Sequence, residues 1–205
     1  MKNLLAYPAI YQLYQEAGGF FGARVTAIRD YLTIPADARI IDIGCGPGHI
    51  VKYLPDGVRY TGLDIDQPSI DYARKHFGDL GEFDTRFFDA QAAAEMGPAD
   101  IVMMNGVMHH IGDADLTETL RHVHAALKPG GVLFTLDGCY LAQQSCVAKW
   151  LLDNDRGEHV RKPGDYQALL EGVFGAESGD VAMHIRDDCS RLPYTFAIGV
   201  ARKHG

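Results

Sequence analysis

Apolar positions along the chain follow two rhythms. Up to about residue 33 they recur at helical spacing, with Tyr7, Tyr11 and Tyr14 at i, i+4 and i+7 and with Phe20 and Phe21 after a break at Ala17-Gly18-Gly19. This predicts two helical stretches forming an N-terminal cover over residues 1–34, and the tyrosine stripe reads as packing. From residue 39 onward, short β-rich runs alternate with amphipathic stretches. The pattern predicts strands near 39–43, 58–63, 83–88, 99–104 and 130–136, with helices near 48–54, 67–77 and 113–127. Asp113-Ala114-Asp115 supplies capping residues and first-turn acids, and Lys128-Pro129-Gly130-Gly131 supplies a stop. Strand-like Val181-Ala182-Met183-His184-Ile185 and Tyr194-Thr195-Phe196-Ala197-Ile198-Gly199-Val200, joined by a polar loop, predict a terminal antiparallel pair. Alternation of this kind implies α/β architecture, a parallel sheet with helices on both faces.

The first strand, Ile40-Ile41-Asp42-Ile43, runs straight into Gly44-Cys45-Gly46-Pro47-Gly48 and then into His49-Ile50. Glycines let a backbone take positive φ and come close to a ligand that a Cβ would repel, and a following helix start aims free N–H groups at it. The spacing is Gly-x-Gly-x-Gly, with His49 where the dinucleotide fingerprint would need its last glycine. The second predicted strand ends in Asp64, 20 residues after Gly44, where a carboxylate can accept hydrogen bonds from both hydroxyls of a ribose.

At these residues the chain resembles the class I S-adenosylmethionine-dependent methyltransferases. Phe87-Phe88-Asp89-Ala90 looks like that family's third motif, whose acid meets the adenine amine. Ala99-Asp100-Ile101-Val102-Met103-Met104-Asn105-Gly106-Val107-Met108-His109-His110-Ile111 looks like its fourth, and Leu127-Lys128-Pro129-Gly130-Gly131-Val132-Leu133-Phe134 like the turn into the fifth strand. The resemblance covers roughly residues 38 to 137 with the motifs in the family's order. It implies a three-layer, doubly wound, seven-stranded and mostly parallel sheet with an antiparallel last strand, S-adenosylmethionine as cofactor and S-adenosylhomocysteine as product. The cofactor residues it implies are Asp42, Gly44, Cys45, Gly46, Gly48, Asp64, Ile65, Asp89, Ala90, Asn105 and Gly106, with Tyr14 and Arg24 as candidates for the methionine carboxylate. For Asp42 the alternatives are a water-mediated contact to the cofactor's amino group or a hydrogen-bonding grip on the glycine turn. Asp66 reads as the cap of the next helix, because Gln67-Pro68-Ser69 opens it. Cys45 reads as a residue that simply fits a tight turn.

Composition narrows the partners. The chain has 205 residues and 47% hydrophobic content, enough for one well-buried domain and too short for two. Nineteen basic against 27 acidic residues, a formal charge of −8, argue against a phosphate-backbone footprint and so against nucleic acid. No apolar run approaches the roughly 20 residues that span a bilayer, and the first residues lack a targeting pattern, so a cytoplasmic protein without membrane partners is expected. The four cysteines contain no Cys-x-x-Cys pair, no metal site is expected, and nothing indicates an oligomer.

The segment 137–166 breaks the alternation and is expected to form a lid over the acceptor. It holds Tyr140, Gln143, Gln144, Trp150, Asp153, Asp155, Arg156, His159, Arg161 and Tyr166, of which Tyr140, Arg156 and Tyr166 are the candidate acceptor contacts. Arg156 and Arg161 read either as solvated loop residues or as a clamp for an anionic acceptor. Methyl transfer from a sulfonium needs alignment, exclusion of water and, for a hydroxyl acceptor, removal of a proton. His109, His110, His49, Asp137 and His159 are the candidate bases, histidine having the pKa nearest neutrality. Family resemblance implies that His109 lines the acceptor pocket while His110 packs beneath it, making His109 the catalytic candidate, as base or as acceptor ligand. The fourth motif lacks the Asp/Asn-Pro-Pro-Tyr/Phe pattern of amine-methylating relatives: Asn105 keeps the first position while Gly106 and Val107 replace the prolines. The expected reaction is therefore O-methylation of a sugar or secondary metabolite. N- or C-methylation, a catalytically silent cofactor-binding subunit and a nicotinamide-dependent dehydrogenase are the alternatives.

Overall fold

The computed structural model describes residues 18–155, 157–175 and 180–204. Seven strands, β1 Arg39–Ile43, β2 Arg59–Asp64, β3 Glu82–Thr85, β4 Ala99–Asn105, β5 Leu127–Gly138, β6 Val181–Arg186 and β7 Phe196–Arg202, form one sheet in the order β3-β2-β1-β4-β5-β7-β6. Pairing is parallel from β3 through β5, while β7 runs antiparallel to both neighbours. The helices are α1 Phe20–Tyr31, α2 Gln67–Phe77, α3 Ala90–Met96, α4 Asp113–Ala126, α5 Cys146–Asp153 and α6 Pro163–Phe174, with short 3-10 turns at His49–Tyr53 and Met108–His110.

Side-chain alternation along the strands sorts the core into two layers. Ile40, Ile101, Met103 and Phe134 face α1, α2 and α5, while Ile41, Val102, Met104 and Leu133 face α3, α4 and α6. Both faces are covered, so β1 and β4 are almost continuously buried, as parallel strands between helices must be. Local chemistry starts the helices. Asp66 accepts from the Ser69 N–H at 3.0 Å to open α2, with Pro68 in its first turn, and Ser145 accepts from Ala148 N–H at 3.1 Å to open α5.

Three boundaries differ from those predicted. β3 stops at Thr85 and not at 88, because the next residues turn away and Asp89 accepts from the Ala92 N–H at 2.8 Å, capping a helix the periodicity did not reveal. The predicted helix over 48–54 is only a 3-10 turn, entered from Gly48 in a left-handed conformation. β5 runs from Leu127 to Gly138, so the segment outside the alternation is 139–162 with α5 at its centre, shorter at both ends than the expected 137–166. The first predicted helical stretch, with Tyr7, Tyr11 and Tyr14, lies outside the described residues.

Candidate active site

Order of strands brings the carboxyl ends of β1, β2 and β4 together, and the glycine turn lies across them. Its three glycines have positive φ (70°, 54° and 74°) but separate roles. A Cβ on Gly44 would lie 2.4 Å from Val107 Cγ2 and one on Gly48 2.7 Å from the Phe83 ring, so these two are glycine for packing. A Cβ on Gly46 would meet nothing within 4 Å: it faces open space. The Gly44 and Cys45 N–H groups donate to the Leu63 carbonyl at 2.7 and 3.0 Å, and the Gly46 N–H donates to Asp64 Oδ2 at 2.8 Å. Asp64 Oδ1 accepts from the Asp66 N–H at 2.9 Å, leaving each oxygen a further lone pair. Burial pushes the Cys45 thiol well above its ordinary pKa, which makes it an inert filler.

Asp42 does not grip the turn, contrary to one expectation; Asp64 and the Leu63 carbonyl do. Asp42 is 2% exposed and accepts from the Tyr60 hydroxyl at 2.7 Å through Oδ2, while its Oδ1 has no partner. Both amide atoms of buried Asn105 also lack a well-formed hydrogen bond, although the amide lies near enough to Asp42 to act on its charge. Burial pushes the Asp42 carboxyl up to about 7, against the opposing pull of the Tyr60 hydroxyl, the Arg24 charge and the Asn105 amide. Buried polar atoms without partners are rare in folded proteins, and two donor–acceptor side chains left open at one sheet edge suit a ligand carrying both an ammonium and acceptor groups. Arg24 on α1 reaches the same place: a Cβ on Gly106 would lie 3.4 Å from its guanidinium. Tyr14, its expected companion, is outside the described residues.

Beyond Asp64 stand two large exposed apolar residues, Ile65 (62%) after β2 and Phe87 (72%) after β3. Register Asp64↔Thr85 sets these loops side by side. Asp89 and Ala90, both exposed, follow at the start of α3, where Asp89 caps the helix and faces Arg86 at 3.8 Å. Exposed apolar side chains beside an acid are the kind of surface on which a flat, amine-bearing ring can rest.

The ends of β4 and β5 form the other half. After β4 the Gly106 N–H donates to the Leu136 carbonyl at 2.7 Å with φ 77°, and the Met108–His110 turn follows. His110, expected to pack beneath, is exposed, while His109 is largely buried (7%) and lines a cavity at the ends of β4 and β5. His109 Nδ1 lies 2.7 Å from Asp137 Oδ1, which also accepts from the His109 backbone N–H at 3.1 Å. Its Nε2 lies 3.3 Å from Asp155 Oδ1. Burial alone would lower the imidazole pKa, but the two carboxylates outweigh it and push it up to about 9. Burial would raise Asp155, yet His109, the Gly157 N–H and the Tyr194 hydroxyl pull it well below the usual carboxylate range. Around this chain lies a cavity of about 30 Å³, lined also by Phe20, Arg24, Leu136 and Phe196. A larger cavity of about 190 Å³ between α1 and the His49–Tyr53 turn contains none of these groups.

The remaining candidates are elsewhere. His49 packs its ring against Phe21, Tyr72 and Phe77, and His159 is exposed, touching His109 only through a 2.9 Å bond from its backbone N–H to the His109 carbonyl. The Tyr140 hydroxyl donates to Asp153 Oδ1 at 2.9 Å, tying β5 to α5. Tyr166 is corrected from acceptor contact to core residue: it is 2% exposed, its hydroxyl donates to the Gly138 carbonyl at 3.1 Å, and α6 carries it to the sheet face opposite Phe20 and Phe196. Arg161 is neither solvated nor an anion clamp. Its guanidinium is buried and donates to Asp113 Oδ1 and to the Met108, His159 and Ile111 carbonyls, bracing the His109 turn. Arg156 is outside the described residues. Sequence reasoning missed Tyr60 and Tyr194 as partners of Asp42 and Asp155. Nothing local in the sequence pointed to either tyrosine.

A glycine turn facing open space, a ribose-competent acid, exposed apolar side chains beside it and a histidine–carboxylate pair at the next strand ends are the marks of a nucleotide-cofactor-dependent enzyme of the doubly wound class. The sequence pattern of the family described as "Methyltransferase domain" matches residues 41–133. A ubiquinone biosynthesis O-methyltransferase from Stutzerimonas stutzeri (strain A1501) is 31% identical over 174 residues, covering 80% of this chain and 72% of that protein. A trans-aconitate 2-methyltransferase from Azoarcus sp. (strain BH72) is 34% identical over 122 residues, 56% of this chain but only 46% of the relative. Among solved structures, the mitomycin 7-O-methyltransferase MmcR superposes with TM-score 0.68 at 21% identity, over 95% of this chain and 58% of its own. Human N-acetylserotonin methyltransferase in complex with SAM gives 0.67 at 18%, over 96% and 55%. These two likenesses concern the fold, and the chain spans little more than half of either protein. The chain belongs to the S-adenosylmethionine-dependent methyltransferases.

Proposed function

We propose that the chain methylates a hydroxyl group on a small secondary metabolite, with His109 as the base and Asp137 as its orienting partner. The observation that carries this reading is the 2.7 Å His109–Asp137 pair beside Gly106, where the cofactor half meets the acceptor half. The bound cofactor supplies a methyl group already activated on a sulfonium. Asp64 accepts from the ribose hydroxyls, Asp42 and Asn105 take the ammonium, Arg24 takes the carboxylate, and Ile65 and Phe87 hold the adenine beside Asp89 and Ala90. Asp137 takes the Nδ1–H of His109, which fixes the tautomer and turns Nε2 toward the acceptor. Phe20, Leu136, Tyr194 and Phe196 exclude water and offer flat apolar walls.

The walls and the base together favour a phenolic acceptor over a sugar. A histidine paired with a carboxylate is a competent base for a phenol, whose pKa of about 10 is far below that of a sugar hydroxyl. The names of the O-methyltransferases among the relatives and structural neighbours agree with an oxygen acceptor. One observation favours a second reading: both ring nitrogens of His109 are already paired, and an amine or carbon acceptor would need no base there.

Methyl-tritiated S-adenosylmethionine offered with panels of phenols, sugars and amines distinguishes the two. The expected label is on phenols, with kcat in His109→Gln lower by about 10²- to 10⁴-fold at nearly unchanged cofactor affinity. Label on amines alone, or more than about a third of wild-type turnover on phenols in His109→Gln, overturns the base assignment.

A further inference from the structure

His109 cannot meet an acceptor in the arrangement described, because its Nε2 already faces Asp155 Oδ1 at 3.3 Å. Its two carboxylates are held differently. Asp137 belongs to β5 and is 2% exposed, part of the sheet itself. Asp155 stands on the return loop after α5, held by the Tyr194 hydroxyl, which donates to Oδ2 at 2.9 Å, and by the Gly157 N–H, which donates to Oδ1 at 2.9 Å. The loop is pressed against the imidazole: a Cβ on Gly157 would fall 1.9 Å from His109 Cδ2. The cavity of about 30 Å³ beside them is lined by His109, both carboxylates and Tyr194.

We propose that Asp155 is a positioning residue that takes the acceptor's place on His109, keeping Nε2 covered until an acceptor hydroxyl exchanges with its carboxylate. This rests on the reading of His109 as base. The groups facing His109 are Asp137 from β5, Asp155 from the return loop, Tyr194 ahead of β7, Arg24 from α1 and the His110 ring, 4.2 Å away on its own turn. When Asp155 withdraws, the imidazolium keeps its Nδ1–H on Asp137 and releases its Nε2 proton to water. Nε2 then takes the proton of the acceptor hydroxyl, whose oxygen lone pair forms the new carbon–oxygen bond. The old carbon–sulfur bond breaks with its electron pair left on sulfur. With no acceptor present, the same contact keeps the base protonated and Nε2 covered.

Diethyl pyrocarbonate acylates a neutral, accessible imidazole nitrogen, so the rate of His109 modification at pH 7, followed by peptide mass spectrometry, reads the cover directly. In Asp155→Asn the rate rises roughly tenfold or more and the NMR-titrated pKa of His109 falls by about one unit or more, while Asp155→Glu stays near wild type. Affinity for S-adenosylhomocysteine changes by less than about threefold, because Asp155 is bonded to His109, Tyr194 and Gly157 and not to the residues assigned to the cofactor. Unchanged modification in an Asp155→Asn protein that still binds S-adenosylhomocysteine overturns the proposal, as does an Asp155→Glu protein as reactive as Asp155→Asn. Should Asp155→Asn fail to fold, Tyr194→Phe decides: faster modification supports the cover and an unchanged rate overturns it. The base role itself is judged by label transfer in His109→Gln, so either claim can fail while the other stands.

Discussion

The cofactor half and the acceptor half are built at the same edge of the same sheet, yet they carry opposite polar arrangements. In the cofactor half, Asp42 Oδ1 and both amide atoms of Asn105 are buried without a well-formed hydrogen bond, and Gly46 opens on space. In the acceptor half, Tyr194, Asp155, His109 and Asp137 satisfy one another in a chain of four, and only Asp137 Oδ2 is left over. On the proposed reading the first region is preorganised at a cost, its unpaired groups lowering the stability of the ligand-free protein until the cofactor pairs them. The second carries less of that cost, because its groups pair with one another and leave Asp137 Oδ2 unpaired. A site that must always receive the same cofactor can be held open, whereas one that must admit an acceptor and exclude water has to open first.

The largest effect that would break this contrast is at Gly46. Gly46→Val has room for its side chain in the ligand-free fold but resists a φ of 54° and intrudes on cofactor space. Affinity for S-adenosylhomocysteine should fall by roughly a hundredfold or more, about 3 kcal/mol, with circular dichroism unchanged. A well-folded Gly46→Val protein with wild-type affinity would place the cofactor elsewhere.

A smaller effect sharpens the contrast at Asp42. A buried carboxyl held near 7 binds a proton that the unfolded chain releases near 3.8, so stability falls as pH rises between those values. Asp42→Asn removes that fall and should stabilise the ligand-free protein above pH 7 by about 1–2 kcal/mol in urea unfolding, while weakening cofactor binding. Asp42→Asn destabilising the protein across the whole pH range would show that the carboxylate belongs to the fold and not to the ligand.

How much of each half could be read from the sequence follows from how its residues are spaced. The cofactor half is local: Asp42, the glycine turn and Asp64 lie within a single β-turn-β stretch, and the structure joins the turn to Leu63 and Asp64 while Asp42 pairs with Tyr60. Strand–helix alternation likewise fixed the sheet up to β5. Asp89 shows the limit, because the same residue that resembles an adenine ligand also caps α3, a helix too short and alanine-rich to show periodicity. The acceptor half is assembled from distant positions. His109 and Asp155 are joined across the lid, Asp155 and Tyr194 across 39 residues, and no local pattern encodes such pairings. Tyr166 and Arg161 were misplaced for the same reason: a polar tip in an irregular segment looks available until the fold supplies carbonyl and carboxylate partners for it.

Calorimetric titration of the wild-type protein with S-adenosylhomocysteine at pH 7.5 tests the open cofactor half most directly. The account predicts one site with low-micromolar or tighter affinity, about 8 kcal/mol or more, equally in wild type and in Asp155→Asn. Absence of binding to S-adenosylhomocysteine by folded protein, or binding that appears only once Asp155 is replaced, would contradict it.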